Sequence, residues 1–136
     1  MIEIIRGWLI FIIYFNMRHK VRKHLKFNNK TSAHRKAMQR NLVTSFFLHK
    51  GIKTTEKKAK SIIPLIDKCI NAVNAKDEMN AIRFVMQYVF TEDASKELFK
   101  NVAPKYKDVK TSWFTRITPV KYRDWDNAKL VAIELV

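Results

Sequence analysis

Fourteen lysine and arginine side chains stand between Met17 and Lys60 against one acid, Glu56, so this stretch carries +13 of the chain's formal charge of +15. Residues 61–136 are nearly balanced, with twelve basic and ten acidic side chains. The chemistry such a pattern can perform is ion pairing with phosphates. A concentration of one sign repels itself and is retained where a polyanion neutralises it. Nucleic acid is therefore the leading candidate partner.

Bond-making chemistry finds little support. The four histidines, His19, His24, His34 and His49, all lie in the basic stretch at gaps that match no standard ligand spacing. Cys69 is the single cysteine and falls on the stripe Ala59, Ile62, Ile63, Ile66, Cys69, Ile70, Val73, so it reads as a buried small hydrophobe. The only glycines are Gly7 and Gly51, which excludes a glycine-rich phosphate loop. The carboxylates Asp67, Asp77, Glu78, Glu92, Asp93 and Glu97 read as first-turn and solvent-face charge. No catalytic constellation, metal site or cofactor site is expected, and the chain reads as a binding protein, not an enzyme.

The elements that must position the charge follow from periodicity. With 136 residues and 47% apolar content there is room for one core. Residues 1–16 form an apolar extension whose run Trp8–Phe15 is far shorter than the ~20 residues a membrane span needs. It lacks the basic start and cleavage site of a secretory signal. It reads as a surface that docks on a neighbour, or as sequence upstream of an original start at Met17. Residues 17–31 show neither period 2 nor period 3.6, which predicts an extended arm that orders on nucleic acid.

A single domain over 32–136 follows. Ser32 reads as the cap of a first helix, along which Met38, Leu42, Ser45, Phe46 and His49 follow as a stripe at helical spacing, with Gly51 as its left-handed stop. An extended segment Ile52-Lys53-Thr54 leads to a second helix capped by Thr55 and kinked at Pro64. A third helix is expected over Asp77–Val89, with Ile82, Val85, Met86 and Val89 inward. A fourth runs from a Thr91 cap through Leu98, Phe99 and Val102 to a stop at Pro104. Alternation around Trp113–Thr118 and Leu130–Leu135 predicts two antiparallel strands joined by a polar loop at Asp124–Asn127.

The first helix places its charges against local helix physics. His34, Arg35 and Lys36 occupy the turn where the macrodipole disfavours cations, and Lys36 and Arg40 form a like-charged i, i+4 pair. A phosphate at the helix start would compensate. On this reading, removing the charges of Arg35 and Arg40 should leave folding intact.

The runs Met17-Arg18-His19, Ser32-Ala33-His34-Arg35-Lys36-Ala37-Met38, Thr54-Thr55-Glu56, Lys58-Ala59-Lys60, Ala103-Pro104-Lys105-Tyr106, Thr115-Arg116-Ile117 and Ile133-Glu134-Leu135-Val136 carry a resemblance. From Met17 onward the chain resembles the bacterial-type large-subunit ribosomal protein seventeen family. The resemblance implies an α+β, two-layer fold in the order helix, strand, three helices, two strands, with a small sheet packed on helices and an extended basic N-terminal arm. It implies a structural role binding large-subunit ribosomal RNA near the polypeptide exit side, beside neighbouring large-subunit proteins. Two departures stand out. The arm between His19 and Ser32 lacks the family's glycines, and Lys110–Phe114 stands where the family usually has a Gly-Gly-Tyr turn.

Residues and resemblance together give the candidate RNA-binding set. In the arm it comprises Arg18, His19, Lys20, Arg22, Lys23, Lys26 and Lys30. The first helix adds Ser32, His34, Arg35, Lys36 and Arg40, and the later chain adds Lys53, Lys58, Lys60 and Arg116. A free-standing DNA-binding or nucleoid protein is the alternative, disfavoured because the exposed helix residues suit phosphates more than base edges. A membrane-surface protein is a third reading. No small-molecule substrate and no membrane span are expected. The scarcity of glycine, the heavy use of Lys, Ile and Asn, and the extra N-terminus lean towards a mitochondrial over a bacterial ribosome.

Overall fold

The structure is a computed structural model, and it describes Phe27 and residues 30–109 and 112–136. Most of the expected arm and the whole apolar extension lie outside the described residues. The elements are α1 (Ser32–His49), β1 (Gly51–Thr55), α2 (Glu56–Ala75), α3 (Glu78–Val85), α4 (Glu92–Glu97), β2 (Thr115–Tyr122) and β3 (Lys129–Leu135). Helix α4 passes into a π turn at Leu98–Val102 and a 3-10 turn at Ala103–Tyr106. The expected α+β order is present.

The sheet is antiparallel in the order β1-β3-β2. The hairpin expected from alternation forms, with Ile117 opposite Ile133, and β1 pairs along the other side of β3 with Ile52 also opposite Ile133. A bulge between Pro119 and Lys121 breaks the β2 register, where proline cannot donate to a ladder. Period 2 sends Ile52, Ile117, Val131 and Ile133 to the helical layer, where they join Phe46, Phe47, Ile62, Ile66, Ile70, Leu98 and Phe114 in one core. The opposite sheet face is left to Lys53, Arg116 and Thr118, all exposed.

Several local expectations are corrected. Thr31, not Ser32, caps α1: its backbone is extended and its Oγ1 accepts from the His34 N–H at 3.3 Å, while Ser32 is already helical. The left-handed residue after α1 is Lys50, with φ 59, and Gly51 begins β1. Gly51 answers a different need, since a Cβ there would lie 3.2 Å from the Ile133 carbonyl oxygen across the sheet.

The inward face of α1 is Val43, Thr44, Phe46 and Phe47, so of the expected stripe only Phe46 is buried, while His49 is exposed. Two adjacent phenylalanines must share one buried face, and the helix turns to cover both. Helix α3 stops at Val85, four residues before the expected end. Tyr88 and Val89 both donate to the Val85 carbonyl, a tightened turn that returns Val89 to the core. Ile82 and Met86, expected inward, are exposed at 37% and 59%. Helix α2 runs unbroken through Pro64, and Pro104 lies in the first turn of the 3-10 segment, where its missing N–H is not required.

Candidate nucleic-acid interface

Just before α1, Lys30 N–H donates to the Phe27 carbonyl at 3.3 Å. Thr31 then caps the helix, and the side chains of Lys30, His34, Arg35 and Lys36 surround its start. Lys30 Nζ lies 3.0 Å from His34 Nε2, so the imidazole nitrogen acts as acceptor. No acid stands in this first turn, whereas α2 begins with Glu56, α3 with Glu78 and α4 with Glu92 and Asp93. Three helix starts thus carry the carboxylates that a helix dipole favours, and α1 carries cations.

A second cationic group lies beside the first. The Phe27 ring centre is 5.2 Å from Lys57 Nζ, which sets the chain entering α1 against the first turn of α2. Glu56 is the one acid there, and it is doubly engaged. Lys60 hydrogen-bonds it and Lys129 approaches at 3.7 Å, and these partners, the Lys60 hydrogen bond foremost, hold its carboxyl below the usual range. Lys57 and Lys58 form no ion pair among the described residues. Lys57 was missing from the candidate set. The signal for it was the run Glu56-Lys57-Lys58-Ala59-Lys60, in which the buried stripe beginning at Ala59 turns Lys57 to the exposed side of the helix.

Other candidates fall elsewhere. Lys53 and Arg116 share the open face of the sheet, on opposite sides of β3, Lys53 across from Ala132 and Arg116 across from Glu134. Ser32 is exposed at the helix start. Arg18, His19, Lys20, Arg22, Lys23 and Lys26 lie outside the described residues.

Arg40 points another way. Its guanidinium donates to the carbonyls of Met86 at 3.2 Å and Val89 at 3.5 Å and stacks 3.8 Å from the centre of the Phe90 ring. The expectation that its charge is dispensable for folding is therefore corrected, because the Met86 carbonyl lies at the cap of α3 and the Val89 carbonyl in the turn that follows, and neither accepts a backbone hydrogen bond among the described residues. Thr44 supports the same junction, accepting from the Phe90 N–H at 3.0 Å and donating to the Arg40 carbonyl at 2.8 Å.

Cys69 is buried and unpaired, and burial pushes its thiol up to about 12. Among the described residues no cluster of His, Cys, Asp and Glu is arranged to hold a metal, and no helix is long and apolar enough to cross a membrane.

Comparison with known proteins settles the family. The family model described as ribosomal protein L17 matches residues 38–136. The chain belongs to the ribosomal protein L17 family. It is 41% identical over 106 residues to the large ribosomal subunit protein bL17 of Desulforamulus reducens, covering 78% of this chain and 93% of the relative. It is 40% identical over 120 residues to that of Desulforapulum autotrophicum, covering 88% and 97%. The protein of the same name in Clostridium kluyveri is 43% identical over 105 residues, covering 77% and 91%. These L17 relatives are bacterial, and the lean towards a mitochondrial ribosome finds no support among them.

Proposed function

We propose that this chain is a structural constituent of the large ribosomal subunit that binds ribosomal RNA through its basic arm and the starts of α1 and α2. The observation that carries this reading is the Phe27–Lys57 contact, which joins the arm and both helix starts into one cationic region. A phosphate seated at the first turn of α1 would meet Lys30, Arg35 and Lys36 and the positive end of the helix. Lys53 and Arg116 on the open sheet face would hold a further backbone segment, and Lys58 and Lys60 would flank the start of α2. The Arg40 side chain would act mainly by shaping this surface. Membership of the L17 family supports assembly into the large subunit, on the polypeptide exit side beside other large-subunit proteins.

Two measurements test this. Sedimentation of a lysate through a gradient should put the protein in large-subunit fractions, and recovery with nucleoid or membrane would overturn the reading. Binding of the purified chain to large-subunit RNA should weaken with salt at a slope of at least about −4 in log K against log salt, since six phosphate contacts each contribute roughly −0.7 to −0.9. A slope near zero would mean that charge is not the binding device.

A further inference from the structure

The loop joining β2 and β3 is held more firmly than a surface turn requires. Arg123 N–H donates to the Ala128 carbonyl at 2.9 Å, and Asn127 N–H donates to the Arg123 carbonyl at 2.8 Å. Asp126 Oδ1 accepts from Ala128 N–H at 3.2 Å and from Arg123 Nε at 2.9 Å, and a second guanidinium nitrogen bonds the other carboxylate oxygen. Asn127 takes the left-handed conformation, φ 52, that closes the turn. What this frame presents is Trp125, which is 77% exposed. The Arg123 guanidinium covers one side of the indole, 4.2 Å from the ring centre, and leaves the other side open.

An indole fixed in this way is a flat apolar surface whose ordering cost is already met by the fold. Its location narrows the occupant. Lys129, the first residue of β3 after the loop, reaches Glu56 at 3.7 Å, so the loop end of the hairpin adjoins the first turn of α2 and the cationic region around Lys57. A strand of RNA lying over that region has its phosphates neutralised there and any unpaired base free to turn aside. A paired base has both faces occupied within the duplex. An unpaired one offers a π face to an aromatic ring.

We propose that Trp125 is a stacking platform for one unpaired nucleobase of the bound RNA, with Arg123 as the positioning residue that fixes the ring. The proposal rests on the RNA-binding reading above and adds a specificity to it. Phosphate contacts hold any RNA, while Trp125 favours RNA with a single-stranded nucleotide at this place.

The test uses the full-length chain with a single-stranded RNA oligonucleotide lacking internal pairing and a duplex RNA of equal charge. In a Trp8→Phe, Trp113→Phe background, which leaves only Trp125 of the three tryptophans, single-stranded RNA should quench the fluorescence and duplex should not. Trp125→Ala should lower single-strand affinity about 5- to 100-fold. Duplex affinity should stay within about twofold, and Trp125→Phe should restore most of the single-strand binding. Unchanged single-strand affinity in Trp125→Ala, or an equal loss for both RNAs, would overturn the platform. So would a photocrosslinker at position 125 that reaches protein instead of RNA in intact large subunits. A wild-type chain that binds neither RNA would instead overturn the RNA-binding reading, so the two failures are distinguishable.

Discussion

Arg40 on α1 stacks its guanidinium 3.8 Å from the centre of the Phe90 ring while donating to the carbonyls of Met86 and Val89. A residue whose charge reads as a phosphate ligand is thereby committed to closing the end of α3. Arg35, one turn earlier, has no such engagement among the described residues. The two arginines should separate on mutation. Arg40→Gln should destabilise the free protein by about 1–3 kcal/mol, the range for hydrogen bonds from a charged group together with a partly buried cation–π contact. Arg35→Gln should change stability by only a few tenths, in the favourable direction, as a cation leaves the positive end of a helix. Urea unfolding of both variants makes the comparison, and equal midpoints would contradict it.

The cap of α1 gives a second prediction. Thr31 Oγ1 accepts from the His34 N–H, so Thr31→Ala should cost about 1 kcal/mol. Ser32→Ala, at a position already inside the helix, should be neutral or slightly stabilising because alanine has the higher helix propensity. Thermal unfolding would show the order reversed if Ser32 were the capping residue.

Besides Asn127, whose side chain tolerates it, two residues sit at positive φ in places where glycine would be at ease. Lys50 has φ 59 at the end of α1, and Trp113 has φ 92 before β2. The resemblance places a Gly-Gly-Tyr turn in the second region, so the departure in sequence coincides with a strained backbone. Lys50→Gly and Trp113→Gly should each stabilise by several tenths to about 1 kcal/mol, the left-handed penalty less glycine's greater unfolded-state entropy. Gly51→Ala should destabilise despite an ordinary φ, because its Cβ would crowd the Ile133 carbonyl at 3.2 Å. Denaturant midpoints of the three variants check this, and a gain in Gly51→Ala would sink it.

These cases also explain what was legible in the sequence. Helix α2 was readable because Ile62, Ile66 and Ile70 form one stripe that only one rotation can bury, and β2 and β3 were readable from alternation. The face of α1 was not. Leu42, Val43, Phe46, Phe47 and Leu48 are spread round the helix, and the choice among them is made by the tertiary requirement to bury both phenylalanines. Gly51 misled because glycine after a helix is read as a backbone conformation, while here it answers a close approach across the sheet that local sequence does not encode. Of the candidate interface, the excess charge was legible, but Arg40's partners lie 46 and 49 residues away and Lys57's partner is in the arm. Long-range contacts decide which cations stay free.

Asp67 supplies a pH-dependent prediction. It faces the segment before β2 from α2, with Oδ1 buried and unpartnered. Burial raises its pKa above the usual carboxylate value, and the backbone N–H groups of Phe114 and then Trp113 pull it partly back. The folded state therefore holds this proton more tightly than the unfolded chain does. Its protonated form favours folding, and that contribution is fully present below the unfolded carboxylate pKa of about 3.9 and lost as pH rises through the higher folded value. Asp67→Asn mimics the protonated form at every pH. The variant should match the wild type in acid and become progressively more stable than it as the pH rises from the unfolded carboxylate range through the raised folded value, with the difference constant beyond it. Thermal melts across this range would read it directly. A variant less stable than the wild type at pH 7 would mean that the backbone contacts to the carboxylate outweigh the cost of burying its charge.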